Sequence, residues 1–182
     1  MTPSRLRNTL LVILSFHLLL AGPAFSQTQP NEAWEKYASA QKKLQVAMHH
    51  LLSLRNAELK PILDITRDLQ LAEVDERTFK FYFVKTHAPE KIVTNQNLQA
   101  FANFPWTEQD TEALKNENSS FKKLGKEIEK LKAKQQSHPD WPKVREKFDN
   151  LTQSQDPEYV EIMVRFNKMV EEVQDLLHIE KA

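Results

Sequence analysis

Cysteine is absent from this 182-residue chain. Without it there is no disulfide framework, no thiolate zinc site and no cysteine to carry a lipid. Glycine is nearly absent, with Gly22 and Gly125 as the only two. Tight hairpins, bulges and phosphate-cradling loops need glycine wherever φ turns positive. Its scarcity argues against glycine-dependent sheet folds, P-loops, dinucleotide-binding turns and nucleophile elbows. Helices joined by proline- and asparagine-containing loops remain. An excess of charge is missing too, because 25 basic side chains balance 25 acidic ones. So evenly mixed a surface carries no electrostatic footprint for nucleic acid or anionic lipid. No apolar run reaches the roughly 18–20 residues that a bilayer-spanning helix needs.

The longest apolar run, Leu10 to Ala21, has a different context. Arg5 and Arg7 precede it, and Ala24-Phe25-Ser26 follows, with small residues at −3 and −1 of a cleavage point before Gln27. That order is a secretory signal peptide. The expected organisation is a signal peptide over 1–26 and a single helical-bundle domain over 27–182, a usual domain size. The product is then periplasmic or secreted, with no membrane span after cleavage behind Ser26. Arg5 and Arg7 are not adjacent, which disfavours twin-arginine export. An exported domain without cysteine must be held by its core alone, and the missing cysteine points to a bacterial envelope.

Apolar periodicity gives the fold class. Trp34, Tyr37, Leu44, Met48, Leu51 and Leu52 recur at helical spacing, with Asn31 as N-cap of the first helix. A break or kink is expected at Pro61, beyond which Ile62, Leu63, Ile65 and Leu69 continue a helix. Residues 97–104 read as a short helix ended by Pro105. Thr107 with Asp110 makes a capping-box start for a helix whose seam is Leu114, Phe121, Leu124, Ile128 and Leu131. Gly125 beside that seam either admits a close neighbouring helix or acts as a hinge. Another helix starts at Asp140 and presents Val144, Phe148 and Leu151. The last begins at Asp156-Pro157-Glu158 and carries Tyr159, Met163, Phe166, Val170, Val173 and Leu177, a stripe wide enough for a bundle core. The fold class is all-α, an antiparallel bundle of four to five helices with an irregular aromatic-rich segment near 78–96.

That segment is ambiguous. Phe79, Phe81 and Phe83 alternate with Lys80 and Tyr82, which suits a strand. Ile92-Val93-Thr94 could pair with it as a short β-hairpin. A buried helix beginning near Asp75 is the alternative, and it would be apolar nearly all round.

Two stretches resemble LemA-type envelope proteins. They are His138-Pro139-Asp140-Trp141 with Phe148, Leu151 and the 165–170 run, and Arg55 to Leu63. The spacings differ by one or two residues, and the alanine-rich second helix of that family is missing. The resemblance implies an envelope helical bundle and carries over no residue role.

Chemistry is sparse. Glu171, Asp175 and His178 share one helical face, but a di-iron bundle needs two such units and two further glutamates. A solvated charged face near a helix C-terminus is the favoured reading of them. Asp64, Asp68, Glu73, Asp75 and Glu76 cluster without any sign of the burial that a general acid requires. No serine or threonine sits in a nucleophile context. No catalytic, cofactor or metal-binding residue is therefore expected. Phe79, Phe81, Tyr82, Phe83, Phe101, Phe104 and Trp106 are the remaining candidates, either as core packing or as an interaction or ligand patch. The expected function is non-enzymatic: an envelope interaction, scaffold or chaperone-like module with an unknown protein partner, a homodimer being one form. A periplasmic small-ligand or metal-binding module is the alternative.

Overall fold

The computed structural model describes residues 29–178, so the expected signal peptide lies outside the described residues. Within them the chain is all-helical, with seven helices and no strand. α1 (Gln29–Arg55) and α2 (Lys60–His87) are the two longest. α3 (Leu98–Ala102), α4 (Glu108–Glu117), α5 (Ser119–Ser137), α6 (Trp141–Gln153) and α7 (Pro157–Leu177) follow. The break before Pro61 is a reversal. Asn56 and a single 3₁₀ turn, Ala57–Leu59, end α1, and Pro61 sits in the first turn of α2, where its missing N–H costs no helical bond.

Side-chain contacts fix the register. Lys42 Nζ meets Asp75 Oδ1 at 2.5 Å and His49 Nε2 meets Gln70 Oε1 at 2.7 Å, so α1 and α2 run antiparallel. α7 lies antiparallel along α1, with Lys36 facing Glu172 at one end and Arg55 facing Asp156 at the other. α5 lies antiparallel along α2, where Lys132 reaches Glu73 at 3.0 Å and Gln135 donates to Thr66 at 3.1 Å. α6 covers the turn end: Val144 and Leu151 pack with Leu51, Leu52, Leu59 and Ile62. At the opposite end Trp34, Phe81, Phe101, Val173 and Leu177 form a second buried cluster.

The possible hairpin near 78–96 is not there. α2 continues through His87, and residues 92–94 are irregular after a 3₁₀ turn at Pro89–Lys91. The helical turn sends Phe81 towards α1 and α3, while Phe79 meets Phe121 on α5 and Phe83 meets Trp106. A helix covered on two sides has use for apolar residues nearly all round, and that packing overrides the strand preference of single residues.

The seam from Leu114 to Leu131 is likewise two helices. Asn118 ends α4, and its side-chain oxygen accepts from the backbone N–H of Ser120 and Phe121 to start α5. This split and the five-residue α3 raise the helix count above the expected four to five. Gly125 admits no close neighbour, because a Cβ built there would meet nothing within 4 Å. Asn31 is not the N-cap expected for α1, because that helix already runs from Gln29 with Pro30 in its first turn, whereas two other start signals hold. Thr107 and Asp110 form a reciprocal capping box, and Asp156 accepts from Glu158 and Tyr159 ahead of Pro157.

Candidate functional site

The seven aromatic candidates do not form one patch. Phe81 and Phe101 are fully buried, and the other five are half-buried. Trp34 of α1 stacks on Phe81 with ring centroids 4.4 Å apart and 7° between planes. Phe101 and Phe104 meet both rings edge-on. Tyr82 stands edge-on to Phe81 and donates its hydroxyl to Glu35. Burial, with the Glu35 carboxylate beside it, pushes the Tyr82 phenol up to about 12. Phe83 faces Trp106 and His87 separately, with Lys80 Nζ 5.4 Å from the Trp106 ring. Phe79 contacts Phe121 apart from both groups.

The structure brings forward a residue that the apolar pattern passed over. His49 is buried between α1 and α2, in an edge-to-face contact with Phe148 of α6, ring centroids 4.8 Å apart. Its Nε2–H donates to Gln70 Oε1, which leaves Nδ1 a buried acceptor with no partner among the described residues. Burial holds its pKa below the ordinary 6.5, against the Gln70 bond that favours the charged ring. Its position carried a signal, since it lies three turns beyond Ala38 and three residues before Leu52 on the α2-facing side of α1. Thr66 and Gln135 continue this polar interior between α2 and α5, and a cleft of about 410 Å³ opens beside them under Trp141 and Phe148.

The acidic cluster is paired. Asp64 accepts from Lys60 and Arg67, and the Lys60 contact first holds its carboxyl below the usual range. Glu73, Asp75 and Glu76 pair with Lys132, Lys42 and Lys80. The lowered carboxyl of Asp64 is the opposite of what a proton donor needs. Glu171, Asp175 and His178 are exposed on α7, where His178 caps the helix with a left-handed φ of 54°. Among the described residues no group of three or more His, Asp or Glu is placed to hold a metal ion.

The outer side of α7 is the more distinctive surface. Val160 and Val164, one turn apart, are 46% and 61% exposed. On the edge where α7 meets α1, an apolar groove of about 310 Å³ lies between Leu44 and Ala47 on one wall and Ile162, Phe166 and Met169 on the other. Among the described residues no helix is long and apolar enough to cross a membrane. No family model matches the chain, and neither a curated protein nor a solved structure matches it. The likeness to LemA-type proteins therefore gains no support from these comparisons.

Proposed function

We propose that the chain is an exported, non-enzymatic helical bundle of the bacterial envelope that works through protein contacts, as an interaction, scaffold or chaperone-like module. The observation that carries this reading is the apolar stripe of α7, which is wider than α1 covers. Val173 and Leu177 are consumed by the core, whereas Val160 and Val164 face outward. Exposed apolar residues repeated along one helix face suit a second helix laid against it. Export rests on Arg5 and Arg7, the Leu10–Ala21 run and Ala24-Phe25-Ser26.

The test is photo-crosslinking in the envelope, with a photoreactive residue at Val164 and a control at the exposed Lys130 of α5. A discrete adduct from Val164 alone is expected, and an adduct of twice the monomer mass would identify a homodimer. Equal, diffuse labelling from both positions would remove the interaction reading. Recovery of a mature N-terminus at Gln27 tests export in the same sample.

A small-ligand module is the second reading. The groove between α1 and α7 favours it, since ligand sites are concave and mostly apolar with a few convergent polar groups.

A further inference from the structure

We infer that the groove between α1 and α7 binds a single-chain anionic amphiphile of the fatty-acid type, an inference that rests on the small-ligand reading. The groove's long walls are hydrocarbon: Leu44 and Ala47 from α1, Ile162, Phe166 and Met169 from α7. Its polar lining is all of one sign, namely Lys43, Arg165 and Lys168. No carboxylate shares that lining, in a chain whose charges balance overall. A cation rim on an apolar slot complements an acyl chain that ends in a carboxylate.

The pairing of the three cations sharpens the point. Arg165 is engaged by Glu161 one turn earlier on α7. Lys43 and Lys168 have no ion-pair partner among the described residues, and both are exposed. The ion pairs that join α1 to α7 lie elsewhere, Lys36–Glu172 at one end and Arg55 with Asp156 and Glu158 at the other. Between these two ties the helices leave the slot open. A carboxylate between Lys43 and Lys168 would gain charge-assisted hydrogen bonds, while its chain lies against Ala47, Phe166 and Met169. An uncharged amphiphile would gain the apolar contact only. A cationic one would meet Lys43 and Lys168 as like charges.

Calorimetric titration of the mature protein with dodecanoate, dodecyl maltoside and dodecyltrimethylammonium, each below its micelle concentration, tests this. Dodecanoate should bind at one site per chain, with the other two on the order of tenfold weaker or undetectable. The double variant Lys43→Gln, Lys168→Gln should lose on the order of tenfold for dodecanoate and leave the melting temperature unchanged. Ala47→Trp, which fills the slot, should abolish binding while the helical circular dichroism stays intact. Equal binding of dodecanoate and dodecyl maltoside would overturn the charge assignment and leave a small-ligand site standing. Binding of none of the three would overturn both. Dodecanoate binding indifferent to Ala47→Trp would place the ligand elsewhere and overturn the assignment of the groove.

Discussion

Two side chains on facing helices, Trp34 and Phe81, set the energetic centre of one end of the molecule. Phe81 is fully buried among Trp34, Tyr82, Phe101 and Phe104. Truncating such a ring removes its transfer energy and leaves a cavity, so Phe81→Ala should destabilise by about 3–5 kcal/mol. Phe83, half-buried two residues away, should cost about 1–2 kcal/mol in Phe83→Ala. Urea denaturation of the two variants checks this, and equal losses would show that the outer ring is as much core as the inner one. His49 makes a prediction in pH. Its folded pKa is lowered, so below 6.5 the unfolded chain takes up a proton that the folded chain resists. The stability it contributes is complete above 6.5 and is lost as pH falls through the lowered folded value. The slope for this one proton is at most about 1.4 kcal/mol per pH unit. Asp64 and Asp156, with carboxyls held below 3.8, act in a separate and more acid window. His49→Gln should flatten the dependence of unfolding free energy between about pH 7.5 and about pH 5. An unchanged slope would assign that dependence to other groups.

Helix boundaries decide the next scale. Asn118, Thr107 and Asp156 each satisfy backbone N–H groups that would otherwise lack a partner, and each start was written in local side-chain chemistry. The Asp156-Pro157-Glu158 and Thr107–Asp110 signals could be read directly for that reason. The joint at Asn118 was masked because Leu114 and Phe121 kept heptad spacing across it, and spacing alone does not reveal a cap. The segment from Thr78 to Thr86 was ambiguous because its local preference and its tertiary environment disagree. Nothing near Phe79 in sequence states that α5 will cover it. The aromatic candidates were visible as a cluster in sequence, yet helical geometry divides them among three neighbours. The apolar groove was beyond reach, since it depends on Lys43 and Lys168 arriving on one edge from helices far apart in the chain. Gly125 gives a clear test at this scale. It lies inside α5, has open space where a Cβ would go and does not adopt a positive φ. Gly125→Ala should therefore stabilise by about 0.5–1 kcal/mol, by removing backbone freedom from the unfolded chain. A rise in denaturation midpoint is the expected reading. A fall would restore the hinge or close-approach role that the sequence allowed.

At the scale of the molecule, the helices differ in how many neighbours secure them. α1 is held by α7 on one side and α2 on the other, and α2 is held in turn by α1 and α5. α6 ties the α1–α2 turn through Val144 and Leu151. α4 packs chiefly on α5, with Leu114 its one fully buried apolar residue. The ion pairs add little to this hierarchy, because nearly all involve exposed side chains, and such pairs contribute roughly 0–1 kcal/mol each. With no disulfide available to clamp the periphery, local opening should follow apolar burial alone. Native-state hydrogen exchange should then find the slowest amides in the middle of α1 and α2, between Ala38 and Leu52 and between Ile62 and Val84. Amides of α3 and α4 should exchange through local openings well below the global unfolding free energy. This order has a consequence for the proposed contacts. α7 is anchored at its C-terminal half by Val173 and Leu177, whereas its N-terminal half rests on half-buried Tyr159 and Ile162. A partner helix on Val160 and Val164, or an acyl chain in the groove, would replace solvent with apolar contact between Tyr159 and Met169, where no side chain of α7 is fully buried. Slower exchange between Tyr159 and Met169 on adding either one, with α4 unchanged, is the expected signature. Protection that rises equally in α4 and α7 would mean that the added molecule stabilises the whole fold and is not seated on α7.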